Sequence, residues 1–258
     1  MMECGALIKK SKNITDILYP ISAIAFIIAL WQGLLSFKIV DAFLLPSPYS
    51  VLKAVINDAQ ILLNHSVYTV SEGLIGLLLS VILAYIIAII MDRFLFINKS
   101  VYPLLVISQT VPMIAIAPLL VLWLGYGALS KIVLVMLTCF FPLTVSILEG
   151  FKSADPDSVN LLKAMGADKN QIFYHIKLPE SLSHFFSGLK ISVSYSIVSA
   201  VISEWIGGTV GLGVYMTRVK KTYAFDKMFG VVIIIVVISV ILIELVKLLE
   251  KKLTKRRA

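Results

Sequence analysis

Residues 150–179 read GFKSADPDSVNLLKAMGADKNQIFYHIKLP and lie between two long apolar runs. Asp155 is a good helix cap and Pro156 is well suited to the first helical position, so a short helix is predicted to begin there. Gly166 is a natural stop for this helix. A second short helix is predicted from about Lys169 and is expected to end at Pro179. The segment therefore predicts a helical loop that projects between two apolar segments.

The apolar segments on either side of this loop are long enough to cross a membrane. A helix needs about 20 mainly apolar residues to span the hydrocarbon core of a bilayer. Six runs meet this length, and the more polar segments between them are too hydrophilic to span. The predicted spans are residues 17–37, 66–91, 100–124, 131–150, 188–206 and 228–249.

The composition agrees with this membrane assignment. Hydrophobic residues make up 59% of the 258 residues, charged residues only 15%, and the mean hydropathy is +0.95. Soluble domains carry about 45–50% apolar and about 25% charged residues. The sequence therefore predicts an all-α integral membrane protein and argues against a soluble enzyme or regulator.

The distribution of positive charge predicts the orientation. The net charge is +8, and with the N-terminus inside the cell, sixteen of the 23 lysines and arginines fall on inner segments. The positive-inside rule then places both termini and the loop in the cytoplasm of a multi-pass cell-membrane protein. Residues 1–16 are predicted to be a cytoplasmic tail, residues 17–250 a single transmembrane domain with the loop at 151–187, and residues 251–258 a basic tail. This tail is expected to contact anionic lipid rather than nucleic acid, since no aromatic residues interleave its charges.

The loop carries an apolar stripe whose partner the residues alone do not identify. Val159, Leu162, Ala164 and Met165 form one face of the first loop helix. Such a stripe would be covered by a cytoplasmic protein, or it would lie on the membrane surface as an amphipathic segment. Both interpretations remain open at this level.

Two spans carry small residues at helical spacing, and a third span carries three prolines. The second-span stripe is Thr69, Gly73, Gly76, Ser80 and Ala84, and the fifth-span stripe is Gly188, Ser192, Ser196, Ser199 and Ser203. Such stripes favour close helix packing, although serines also line aqueous paths. Pro103, Pro112 and Pro118 predict that the third span is kinked or broken, with a cavity beside it.

No residue pattern for catalysis, a metal or a nucleotide is found. Cys4 and Cys139 are isolated, and His65, His175 and His184 have neither metal-ligand spacing nor a nucleophile beside them. The sequence has no Gly-Lys dipeptide, so the phosphate-binding Walker A loop is missing. The chain is therefore predicted to bind no cofactor or metal and to have no catalytic residue.

Together, the loop and several other motifs resemble the permease subunits of binding-protein-dependent ABC importers. In the loop, Gly166 is followed after nine residues by Ile176, Leu178 and Pro179, in the register of the family's EAA motif. Leu45-Pro46-Ser47-Pro48, the Ile114–Gly127 segment and Ser203–Gly208 with Gly211-Leu212-Gly213 resemble the nitrate, sulfonate, taurine and thiamine-precursor branch. Roughly residues 15–250 are covered.

The resemblance implies an ABC importer type I permease fold with a cytoplasmic coupling helix. Two permease subunits, here expected to be a homodimer, would form the translocation path in the bilayer. Two cytoplasmic ATPase subunits would hold ATP and Mg²⁺, and an extracellular or periplasmic binding protein would deliver a small solute. The residues expected to couple to the ATPase are Asp157, Asn160, Leu161, Leu162, Met165, Gly166, Ala167, Ile176, Leu178 and Pro179.

The loop departs from the family pattern at one point. Asn160-Leu161-Leu162 stands where the family usually has Glu-Ala-Ala. The missing glutamate commonly supports the contact with the ATPase. Asp157, one turn earlier, is a candidate substitute, and Leu162 and Met165 are the candidate buried anchors.

Polar residues inside or beside the spans are candidates for the path and for docking. Charged side chains within a membrane are costly and suggest function. The path candidates are Glu72, Gln109, Ser196, Ser199 and Glu204. Outside, Arg218, Lys220 and Lys221 form a basic cluster that would meet an acidic lobe of the binding protein or would simply be solvated.

Two glutamates facing the path would repel anions, so the residues favour a thiamine-precursor pyrimidine over nitrate, taurine or another sulfonate as cargo. The alternative to an ABC importer is an ion-coupled secondary transporter in which Glu72 and Glu204 are the coupling carboxylates. That class would be expected to show an internal repeat, and none is detected.

Overall fold

The computed structural model describes residues 14–254, and all of its regular elements in that range are helices. The predicted cytoplasmic N-terminal tail lies almost entirely outside the described residues, as do Cys4 and the end of the basic tail. The helices are α1 (Ile14–Ser36), α2 (Pro48–Asn57), α3 (Ala59–Arg93), α4 (Leu95–Ser108), α5 (Met113–Leu124), α6 (Ala128–Lys152), α7 (Pro156–Ala164), α8 (Lys169–Ile172), α9 (Leu178–Gly207), α10 (Leu212–Lys221) and α11 (Phe225–Thr254).

Four helical segments within residues 14–254 are long and apolar enough to cross a membrane on their own. They are Ala59–Arg93, Ala128–Lys152, Lys169–Gly207 and Phe225–Leu253, which correspond to the second, fourth, fifth and sixth predicted spans. The first predicted span corresponds to α1. Its apolar part, Ile21–Ser36, is shorter than the four segments that can cross a membrane on their own. The prediction of an all-α membrane protein is confirmed, although fewer spans qualify as single helices than the six predicted.

The third predicted span is two helices rather than one. α4 and α5 meet at an angle of 100°, and Pro112 lies at the junction. A proline has no N–H for the helical hydrogen-bond ladder and disfavours helix in the residue before it. The predicted break is thus confirmed, and a single straight span over residues 100–124 is excluded.

Helices α3, α6 and α9 form the centre of the bundle, and α11 packs against α9. Every member of the two small-residue stripes is buried. Gly76 lies so close to α6 that an added methyl group would come within 2.6 Å of the Val135 side chain. Since small residues allow helix backbones to approach closely, the stripes explain why these three helices form the core.

The loop between α6 and α9 contains the predicted helix. Asp155 caps α7 by accepting hydrogen bonds from the N–H groups of Asp157 and Ser158, and Pro156 occupies the first turn. Gly166, with φ of +84°, ends the helix in a Schellman motif. In this motif its N–H donates to Lys163 and the N–H of Ala167 donates to Leu162.

The second loop helix does not end at Pro179, as the sequence predicts. α8 continues through a π-helical turn, Phe173–Lys177, directly into α9. Pro179 lies in the first turn of α9, directly after the π-helical turn. The fifth span is therefore one continuous helical segment, Lys169–Gly207, that begins inside the loop.

The bundle has two ends with different content. One, here called the loop end, carries α7, α8, the last turns of α3 and α6, and the end of α11. The other, here called the far end, carries α2, α10 and the start of α6.

Candidate coupling loop and transport site

The first loop helix presents its largest apolar side chains to the outside of the molecule. Leu161 is 63% exposed and Met165 is 74% exposed. They are four residues apart and so lie on the same side of α7, here called the anchor face. Of the two predicted anchors, Met165 is on this face, while Leu162 is half-buried beside it. Leu161, predicted as part of the loop but not as an anchor, is the second large exposed side chain.

Several interactions hold the loop against the bundle. Lys177 Nζ donates to both carboxylate oxygens of Asp92 at the end of α3, at 2.6 and 2.8 Å. Ile176 is buried, and the ring of Phe173 packs edge-on against Phe151 with the centroids 5.2 Å apart. These contacts join the part of the loop that leads into α9 to the ends of α3 and α6.

A shallow depression of about 280 Å³ lies beside the anchor face. It is lined by Leu162, Met165, Gly166, Ala167, Gln171 and His175. Four of these are predicted coupling residues. Six predicted coupling residues remain. Asp157, Asn160 and Leu161 are exposed on α7, Ile176 is buried in the π-helical turn, and Leu178 and Pro179 are half-buried at the start of α9.

At the far end, Glu204 organises the turn between α9 and α10. Its carboxylate accepts hydrogen bonds from Thr69 Oγ1 at 2.7 Å and from the N–H of Gly213 at 2.6 Å. Thr69 Oγ1 in turn accepts from the N–H of Leu212 at 2.9 Å, and His65 Nδ1 accepts from the N–H of Gly211. Glu204 thus pairs the buried N–H of Gly213 and orients Thr69, while Thr69 and His65 pair the N–H groups of Leu212 and Gly211.

Gly211 is required by this arrangement. Its φ is +128°, and a β-carbon on it would collide with the Glu204 carboxylate. The Gly211-Leu212-Gly213 motif is therefore explained by close approach of the backbone to a buried carboxylate.

Glu72 is buried in an ion pair that the sequence analysis missed. Lys131 Nζ donates to Glu72 Oε1 at 2.8 Å, and the two side chains are only 7% and 9% exposed, respectively. Lys131 lies in the first turns of α6 and pairs there with Glu72 of α3. The argument that Glu72 would repel anions from the path is weakened, because its charge is compensated.

The remaining path candidates lie in different surroundings. Ser196 and Ser199 are buried, and Ser196 donates to the carbonyl of Val193 in its own helix. Gln109, in contrast, lines a cavity of about 260 Å³ at the α4–α5 break, together with Met113, Thr138 and Tyr195. Among the predicted path residues, Gln109 thus lies at a cavity, whereas Ser196 and Ser199 are packed between helices.

The outer basic cluster lies on the last turns of α10. Arg218, Lys220 and Lys221 are exposed, and Arg218 donates to the carbonyl of Thr209 at 2.9 Å. Nearby, Asp58 accepts hydrogen bonds from Lys227 and Tyr215, which join α11 and α10 to the α2–α3 junction. Donation from Lys227 is the main reason that the pKa of Asp58 lies below its usual value.

The sequence of residues 76–255 matches the family described as binding-protein-dependent transport system inner membrane component. The chain belongs to this family. The predicted resemblance is thereby confirmed, and the chain is a permease component of an ABC transport system rather than an enzyme.

Curated relatives include several permeases of the expected branch. The permease is 34% identical to a probable ABC transporter permease protein of Haemophilus influenzae, over 88% of this chain and 92% of the relative. It is 35% identical to the formylaminopyrimidine transport permease protein ThiX of Halalkalibacterium halodurans, over 81% of this chain and 84% of the relative. Identity to the taurine permease TauC of Escherichia coli is 25%, with 91% and 88% covered.

Solved structures show the same fold at low sequence identity. A permease chain of the MetNI methionine ABC transporter in an inward-facing form superposes with a TM-score of 0.64, covering 78% of this chain and 97% of that chain at 15% identity. A chain of an amino acid ABC transporter superposes with a TM-score of 0.62, covering 78% and 96% at 14% identity. The predicted type I permease fold is confirmed.

Proposed function

We propose that the permease forms the translocation path for a small solute and is driven by ATPase subunits that bind α7. Two copies of the chain form the path, two cytoplasmic ATPases hold ATP and Mg²⁺, and an external binding protein delivers the solute. The loop end and both termini are then cytoplasmic. The observation that carries the proposal is the anchor face, two large apolar side chains exposed on a loop helix whose capping residue, Asp155, donates its N–H to Glu180 of α9.

An exposed anchor face on a rigid support is suited to a protein partner. Exposed Leu161 and Met165 would be buried on docking, and buried apolar anchors supply much of the energy of such interfaces. Since the loop is joined to α3 by the Asp92–Lys177 pair and runs directly into α9, movement of the ATPases would move the spans.

The docking assignment is tested by adding charge to the anchor face. Leu161→Glu with Met165→Glu is expected to weaken copurification with the ATPase at least about 30-fold, since loss of even one hot-spot side chain costs about 2 kcal/mol or more. Asn160→Glu is the matched control, because it adds an acid to the same helix outside the anchor face and restores the family's usual residue. Equal retention of the ATPase by the double variant and the control would show that α7 is not the docking element.

The path is proposed to run beside the α4–α5 break. Gln109 and Tyr195 supply polar groups to the cavity there, and interrupted helices within a membrane are tolerated where they line cavities. Ser196, Ser199, Glu72 and Glu204 would influence the path through helix packing, because each is buried between helices. Gln109→Leu is expected to reduce transport while leaving ATPase copurification unchanged, whereas unchanged transport would place the path elsewhere.

The far end is proposed to dock the binding protein. Arg218, Lys220 and Lys221 would face an acidic surface of that partner, and such charge pairs mainly increase the association rate. Lys220→Glu with Lys221→Glu should slow binding-protein association at low salt. Lys53→Glu reverses the charge of an exposed lysine on α2 and serves as the control. If Lys53→Glu slows association as much as the double variant, the binding protein is attracted by the overall positive charge and not by the α10 cluster.

The proposed cargo is a thiamine-precursor pyrimidine, with sulfonates or taurine as the second candidate class. Support comes from the higher identity to the formylaminopyrimidine permease, 35%, than to the taurine permease, 25%. The test is the ligand held by the cognate binding protein. Tight binding of formylaminopyrimidine but not taurine agrees with the proposal, and the reverse order contradicts it.

A further inference from the structure

A cavity at the loop end combines positive charge with an apolar wall. It has a volume of about 500 Å³ and lies between the end of α3 and the inner side of the loop. It is here called the basic cleft, and its main lining residues are Ile89, Arg93, Val159, Lys163, Lys169 and Lys177.

The charges of the basic cleft are only partly compensated. Asp92, the one carboxylate that lines it, is paired with Lys177. Arg93 donates to the neutral amide of Asn170 at 3.0 Å. Among residues 14–254, no carboxylate lies within ion-pair distance of Arg93, Lys163 or Lys169, so three cations remain available to an anion.

The basic cleft does not share the anchor face of α7. Val159 and Lys163 are four residues apart and face the cleft, whereas Leu161 and Met165 lie about 200° around the helix from them. A ligand of the cleft and a protein on the anchor face would therefore contact opposite sides of one helix.

The surroundings of the basic cleft are those of a membrane surface. Ile89 belongs to the apolar α3 span, and Phe94, Leu95 and Phe96 follow directly at its end with their side chains exposed. Tyr174, an amphipathic ring, also lines the cleft and is exposed. Apolar residues below and cations above are the complement of a phospholipid, whose acyl chains and anionic phosphate are arranged in the same order.

We infer that the basic cleft binds the headgroup of an anionic phospholipid from the cytoplasmic leaflet. Arg93, Lys163 and Lys169 bind the phosphate, and Ile89 and the exposed aromatic residues contact the acyl chains. Because Lys163 belongs to α7, the lipid would hold the docking helix in position against α3. The site is independent of the cargo and of the ATPase contact proposed above.

The test uses phosphatidylglycerol as the probe and native mass spectrometry of the full-length permease with its ATPase in a neutral detergent. Lys163→Gln with Lys169→Gln is expected to weaken the first bound phosphatidylglycerol roughly 30-fold, given the energy of each basic residue near an anionic surface. Lys99→Gln with Lys152→Gln removes the same charge from two exposed loop-end lysines that do not line the cleft, and it is expected to change binding less than about threefold.

Three results would overturn the inference. The first is equal loss of lipid in both double variants, which would indicate diffuse attraction. The second is displacement of the lipid by inorganic phosphate at the same concentration, or equal binding of phosphatidylcholine, since either would make the acyl chain or the negative charge irrelevant. The third is unchanged lipid binding with loss of the ATPase, which would assign the cleft to the protein partner. Normal helical content of each variant confirms that it is folded.

Discussion

The buried Glu72–Lys131 pair gives the sharpest prediction for stability. Replacing Lys131 with methionine keeps the length of the side chain but leaves the Glu72 carboxylate buried without its cation. One of its oxygens, Oε2, already has no hydrogen-bond partner in the described part of the chain. Removing one partner of a buried pair costs about 3–5 kcal/mol, because the remaining charge is desolvated and uncompensated.

This cost corresponds to a fall of about 10 °C in the thermal midpoint for a chain of this size. Thermal unfolding of the purified permease in a neutral detergent measures it. Glu72→Gln combined with Lys131→Met removes both charges and is expected to recover most of the loss, since apolar or neutral replacements of a whole pair are often nearly neutral. Lys53→Met, at an exposed lysine of α2, is the control and should leave the midpoint within about 2 °C.

This reasoning would be refuted if the thermal midpoint of the Lys131→Met variant equalled that of the Lys53→Met control. So would a double variant as unstable as the single variant, because the loss would then come from packing rather than from an unpaired charge.

Three further predictions concern the far end and the core. Glu204→Ala leaves the buried N–H of Gly213 unpaired and leaves the Thr69 hydroxyl with only the carbonyl of His65 as acceptor, and it should cost about 1–3 kcal/mol. Glu204→Gln should cost less, and thermal midpoints of the two variants measure this. Gly76→Ala should destabilise the bundle by about 1–3 kcal/mol because its methyl group would lie 2.6 Å from the Val135 side chain. Gly73→Ala should change the midpoint little, because its nearest contact, at 3.1 Å, is the flexible end of Ile197 and the Ser196 backbone lies at an ordinary contact distance. The lowered pKa of Asp58 means that the ionised carboxylate stabilises the folded state above about pH 4 and that this stability is lost as the pH falls through the folded pKa. The stability difference between the wild type and Asp58→Asn, followed by denaturant unfolding, should therefore shrink in acid, and a constant difference from pH 7 to pH 3 would contradict it.

Local signals in the sequence predict the loop helix and the packing core. The cap at Asp155, the stop at Gly166 and the stripe of small residues on α3 each depend on neighbouring residues, so short-range rules are sufficient. Pro179 misleads because a proline fits the first turn of a helix as well as it ends one, and only the continuation of α8 through the π-helical turn distinguishes the two.

Contacts between distant residues could not be predicted in the same way. Lys131 and Glu72 are 59 residues apart, and their pairing depends on how α3 and α6 are rotated about their axes. Glu204 likewise accepts from Gly213 only because the turn between α9 and α10 brings the backbone close to it, and this turn requires the positive φ of Gly211. One signal was available, since a buried lysine and a buried glutamate near the same end of two spans are expected to pair. The basic cleft gave no such signal, because its residues come from three separate segments.

The most direct test of the account is uptake of a labelled pyrimidine cargo into proteoliposomes that contain the permease, its ATPase and the binding protein. The account predicts uptake only when ATP is inside with the ATPase, no response to a proton or sodium gradient, and loss of uptake in the Leu161→Glu, Met165→Glu variant. Uptake by the permease alone, driven by an ion gradient and abolished by Glu72→Gln or Glu204→Gln, would contradict the account and establish the ion-coupled alternative.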